Sequence, residues 1–135
     1  MAVFMSNTVA VTVNAIDLSD HVTSITLNQA FDELEVTAMG DTGHKYVKGL
    51  ESASITIDFL NDTATGKVLS TLQSAYGTNV VVTVKNTSAA VSATNPLYTM
   101  TCLVNNLTPV NGAVGDLSTQ SITWNVSGAV VQTTA

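Results

Sequence analysis

Arginine is absent from the chain, and only four lysines stand against ten acids, for a formal net charge of −6. Without guanidinium groups there is no bidentate grip on phosphate or on guanine, so sequence-specific nucleic-acid binding is not expected. Cysteine is nearly absent too. Cys102 stands alone, which excludes an intrachain disulfide and a zinc site built of several thiolates. No apolar run approaches the roughly 20 residues of a membrane span, and the opening MAVFMSNTVA has neither a basic group nor the apolar stretch of a secretory leader. Charged residues are only 10% of the chain, well under the roughly 25% of ordinary domains.

Hydroxyl and amide residues take the place of the missing charge. At 135 residues the chain reads as one domain, able to remove roughly two thirds of its unfolded surface from water. A neutral polar exterior suits a protein largely covered by copies of itself, since interface cores are depleted in charge; it also suits a plain Thr-rich β domain. The acids are not dispersed. Nine of the ten fall between positions 17 and 62, and only Asp116 lies outside.

Alternation of apolar and polar residues predicts strands. Val9, Val11 and Val13 alternate within Thr8 to Asn14, and Ala15 to Asp20 reads as a turn. Val22, Ile25 and Leu27 mark a second strand whose broken register points to a bulge. A third is the cleanest, with Ile55, Ile57 and Phe59 set against Ser54, Thr56 and Asp58. Between these two, the segment 36–52 reads as a loop much longer than a hairpin needs. Asn61 and Asp62 offer a helix N-cap, Ala64 to Tyr76 carries helical spacing weakened at Gly66, and Gly77 stands where a left-handed terminal residue belongs. Val80, Val82 and Val84 then share a face. So do Tyr98, Met100, Cys102 and Val104, and finally Ile122, Trp124 and Val126. The expected fold is mainly β, a sandwich or flattened barrel with one flanking helix, an N-terminal arm at 1–7 and a C-terminal tail at 129–135. Lysine and proline are almost missing from the strands, so the sheet edges need another cover, from loops or from neighbouring copies.

Patterns that carry chemistry are weak. Asp41-Thr42-Gly43 matches the core triplet of aspartic proteases, but Gly40 before it and His44 and Lys45 after it are the wrong context, and a turn is the better reading. His21 beside Asp20 and His44 near Asp41 fall short of a metal ligand set. Ser70 or Ser74 with His44 lacks a nucleophile elbow. The triplets at Asn61, Asn86, Asn106 and Asn125 are expected by chance in so Ser- and Thr-rich a chain. Trp124 and Tyr98 read as core aromatics rather than a sugar platform. No catalytic, metal or cofactor site is expected.

A resemblance carries more. The runs Asp17-Leu18-Ser19-Asp20-His21-Val22, Phe31-Asp32-Glu33-Leu34-Glu35-Val36-Thr37, Met39-Gly40-Asp41-Thr42, Gly49-Leu50-Glu51 and Ile55-Thr56-Ile57-Asp58-Phe59-Leu60 resemble the tail tube proteins of long-tailed siphophages. So do Gly112-Ala113-Val114-Gly115-Asp116-Leu117 and Ile122-Thr123-Trp124-Asn125-Val126-Ser127-Gly128, and together they span most of the chain. The resemblance implies six copies closing into a ring, inner sheets joining into one barrel, and rings stacking into a conduit for DNA. It also implies partners: further copies of the chain, with tail terminator, tape measure and baseplate proteins. The location would be the virion, after assembly in the host cytoplasm. Within the loop at 36–52, Met39, Asp41, His44, Lys45, Tyr46, Lys48 and Glu51 are expected to reach neighbouring subunits, and Phe4 and Met5 of the arm to add an axial contact. Because a ring multiplies every lumen lysine by six, a basic wall would trap its cargo. Ser24, Thr26, Thr56, Asp58, Thr99, Thr101, Thr123 and Asn125 are therefore the expected channel lining, with the lysines elsewhere. Another β-sandwich module, such as a tail terminator, capsid decoration or secretion-tube protein, is the alternative.

Overall fold

In the computed structural model, residues 8–134 are described. The chain forms β1 (Ala10–Val13), β2 (Ile16–Asp17), a single 3-10 turn (Ser19–His21), β3 (Val22–Glu35) and β4 (Tyr46–Leu60). Helix α1 (Val68–Ala75) follows, then β5 (Asn79–Lys85), β6 (Leu97–Leu103), β7 (Thr119–Asn125) and β8 (Val131–Thr133). The result is the mainly β fold that the alternation predicts: two antiparallel sheets and one helix. One sheet has the order β2-β1-β5-β6-β8 and the other β3-β4-β7.

The core lies between the sheets, because a period of two turns every second side chain inward. Val11, Val13, Val80, Val82, Val84, Met100 and Cys102 come from one sheet, and Ile55, Ile57, Phe59, Ile122 and Trp124 from the other. Trp124 is fully buried and its indole N–H donates to the Asn106 carbonyl at 3.2 Å, so the aromatic is core as expected. Tyr98 is half-buried against the same cluster. Gly77 has φ +82, as its place after the helix requires.

Five expectations need correction. The segment 36–52 is not one long loop: β3 and β4 stay paired as far as Glu35 and Tyr46, so only residues 36–45 form a tip. Tyr46, Lys48 and Glu51 are strand residues. Alternation is lost there because both faces of the ribbon meet solvent and because a bulge sets Gly49 and Leu50 against the single residue Asp32. A Cβ on Gly49 would lie 2.9 Å from the Asp32 Cβ, which is why glycine fits at this crossing. The bulge expected in the second strand is also present, with Val22 and Thr23 facing Phe59.

The helix starts later than expected, at Val68, after a turn that Gly66 permits with φ +77. Asp62 does not cap it. Its Oδ1 instead accepts the Ala64 N–H at 2.9 Å, which locks the preceding turn. The tail at 129–135 includes β8, which pairs with Leu97 to Thr99 of β6. Finally, Ala15 to Asp20 holds the short β2 and the 3-10 turn rather than a simple turn. Asn14 and Ala15, at φ 53 and 65, make the tight hairpin between β1 and β2.

Candidate assembly surfaces

The outer face of the three-stranded sheet is a grid of short polar groups. Cross-strand register gives one row of Ser24, Asp58 and Ser121, a second of Thr26, Thr56 and Thr123, and a third of Asn28, Ser54 and Asn125. The Thr56 and Thr123 hydroxyls share a hydrogen bond of 3.0 Å. Asp58 is the only charge in the nine positions. Lys45 and Lys48 lie on the hairpin, Lys67 just before α1, and Lys85 at the end of β5, where its ammonium donates to the Ala89 carbonyl. Six of the eight expected lining residues are thus brought together. Thr99 and Thr101 are not: they belong to β6, in the opposite sheet.

The two edges of this sheet differ. Among the described residues β3 pairs only with β4, so its other side has no strand partner there. β7 also pairs only with β4, yet its outer edge is guarded. Asn106 Nδ2 donates to the Thr123 carbonyl at 3.1 Å, and Asn111 Nδ2 to the Thr119 carbonyl at 2.8 Å. Sequence reading missed both asparagines, because nothing local marks an amide that serves a distant strand.

Beyond the row of Asn28 and Ser54, β3 and β4 continue as a two-stranded ribbon past the end of β7. Seven further residues of β3 at about 3.3 Å each project it roughly 23 Å. Phe31, Leu34, Val36, Met39, Tyr46, Val47 and Leu50 are all exposed on it, Leu50 at 81%. Lys48 Nζ sits 4.7 Å over the Phe31 ring. Such a ribbon has no core of its own and, among the described residues, leaves a large apolar surface exposed.

The tip is knitted by its own side chains. Asp41 accepts the Ala38 N–H at 2.8 Å and pairs with Lys45 at 2.8 Å; the lysine, and then that N–H, hold its carboxyl below the usual range. Glu35 accepts from the Thr37 hydroxyl at 2.9 Å and contacts His44 at 2.6 Å, and His44 first, then Thr37, lower its carboxyl likewise. Asp41 therefore closes the turn that starts at Ala38, with its N–H donating to the Ala38 carbonyl at 3.1 Å, and Thr42 and Gly43 form the bend that follows. Their cavity of about 170 Å³ presents a carboxylate already occupied by two donors. Phe4 and Met5 lie outside the described residues.

At the other end of β4, Leu60 pairs with Thr119, and the 108–118 loop exposes Val110, Val114 and Leu117. Three apolar residues in a loop of Asn, Gly and Pro were the available signal for this patch. Helix α1 begins at the same end, where the Leu69 N–H donates to the Asp62 carbonyl at 3.1 Å. A depression of about 480 Å³ is lined there by His21, Leu60, Asn61, Asp62, Leu117 and Ser118 among others.

Chemistry elsewhere is spent on structure. Ser70 Oγ donates to the Ala64 and Lys67 carbonyls and Ser74 Oγ to that of Thr71, while His44 lies at the far end of β4. Burial pushes the Cys102 thiol up to about 11, which suppresses its thiolate. Among the described residues, no group of three or more His, Cys, Asp or Glu is placed to hold a metal ion, and no helix is long and apolar enough to cross a membrane. No protein-family model matches the chain, and no curated protein matches it either.

Proposed function

We propose that the protein is a self-assembling structural subunit of a phage tail tube, in which six copies form a ring and the rings stack around a channel for DNA. One observation carries this reading: the nine outer positions where β3, β4 and β7 lie side by side, from the row of Ser24, Asp58 and Ser121 to that of Asn28, Ser54 and Asn125, are hydroxyl or amide except for one carboxylate, and none of the four lysines is among them. Repeated around a ring, that face offers a polyanion nothing to bind. The edge of β3, without a strand partner among the described residues, supplies the lateral contact within a ring. The exposed hairpin and the exposed 108–118 loop lie at opposite ends of one sheet, and a head-to-tail contact between two different surfaces builds an open filament. Tail terminator, tape measure and baseplate proteins are the proposed further partners, and the virion the proposed location.

Negative-stain microscopy of the purified chain at rising concentration tests the reading. Hollow tubes with a regular axial repeat are expected. Single rings would favour a tail terminator, decoration or secretion-tube role, and monomers at high concentration would overturn self-assembly altogether.

A further inference from the structure

His21 sits at the corner where the 3-10 turn meets the end of β4. Its ring is only 15% exposed, with Nδ1 2.6 Å from Asp20 Oδ1 and Nε2 2.8 Å from Asp62 Oδ2. A neutral imidazole has one N–H, so one of these contacts would then set a nitrogen lone pair against a carboxylate oxygen. Only the imidazolium donates to both. The corner connects onward. Asn61, next to Asp62, donates its backbone N–H to the Ser118 carbonyl at 3.0 Å and its side-chain amide to Ser118 Oγ at 2.9 Å. Ser118 Oγ in turn donates to the Asn111 carbonyl at 3.0 Å. Bonds thus run from His21 into the loop that exposes Val110, Val114 and Leu117.

We propose that the Asp20-His21-Asp62 bridge is a proton-operated staple: the protonated ring ties the 3-10 turn to the turn after β4 and steadies the 108–118 loop, and proton loss loosens it. The proposal concerns the single subunit and does not rest on tube formation. On deprotonation, two bonds between opposite charges become one bond from a neutral ring to a carboxylate, and the other carboxylate is left facing a nitrogen lone pair. Asp20 and then Asp62 raise the affinity of the ring for its proton, and partial burial opposes them. His21 holds the Asp20 carboxyl below its usual range, whereas the Ala64 N–H first and His21 second lower that of Asp62. Lys67 is the other charge acting on both carboxylates; Asp17 is engaged by the N–H and hydroxyl of Ser19. The raised value fixes the sign. The staple contributes in full below about pH 6.5, where the unfolded chain also binds the proton, and is lost as pH rises through the folded value.

Amide hydrogen exchange on the whole chain between about pH 5.5 and 8.5, corrected for intrinsic exchange, tests this. Protection at Asn61 and Ala64 is expected to fall severalfold, with a midpoint matching the NMR titration of the His21 ring. His44→Gln should leave that response intact. His21→Gln should show low, flat protection across the range. Asp20 is exposed, so Asp20→Asn should fold and move the midpoint down. Protection that stays level through the His21 titration, or a midpoint unmoved in Asp20→Asn, would overturn the staple.

Discussion

Ala15 is held in the left-handed region at φ 65, where its Cβ crowds the following carbonyl, while Asn14 at φ 53 is of a type that tolerates it. Glycine would relieve the clash and lose more freedom on folding, leaving a net gain of roughly 0.5–1 kcal/mol. Ala15→Gly is therefore expected to raise the melting temperature by a few degrees, measured by circular dichroism; an unchanged or lower value would refute the strain. The same scale shows how far sequence reading reaches. Gly77 was legible from its place after a helical run. Ala15 was not, because the tight turn depends on Val13 pairing with Ile16, and β2 is too short to show a period.

Among the elements, the tip of the β3-β4 ribbon is separable from the core, and the proposed assembly puts its role there. The core rows run from Ile25 and Ile57 to Leu27 and Ile55, and nothing in them depends on residues 36–45. Replacing 36–45 with Asn-Gly, which suits a two-residue turn between Glu35 and Tyr46, should leave the melting temperature within a few degrees. It should also abolish stacking in the microscope; tubes formed as readily by this variant would remove the tip from the contact. The core strands were readable because one face of each is buried, and burial enforces alternation. The ribbon was not, because neither face is buried and Asp32, Glu33 and Glu35 disfavour a strand by composition. Helix α1 was legible in its Val68, Leu72 and Ala75 face and overextended at its start, where helical spacing in residues 64–67 carried no information about the turn held by Asp62.

For the molecule as a whole, the decisive property is the sign and sparsity of charge on one sheet face. Thr56→Lys with Asp58→Lys places two ammonium groups on that face without touching the core, since both positions point away from it. In a six-fold ring this adds twelve, so tubes should form while DNA passage slows, more strongly at low salt. Release kinetics of dye-labelled DNA from assembled particles measure it, and unaltered kinetics would remove this face from the channel. Which strands share that face was readable from alternation, but Thr99 and Thr101 have the same local pattern in the other sheet. Only long-range pairing tells the two apart.

Among the described residues the sheet has one open margin, at β3, and one that the asparagines at 106 and 111 close. Under the proposed assembly, only the open margin would accept a neighbour's strand directly. Under that proposal, joining along the closed margin would first require two amides to let go of Thr123 and Thr119, a kinetic latch rather than a missing affinity.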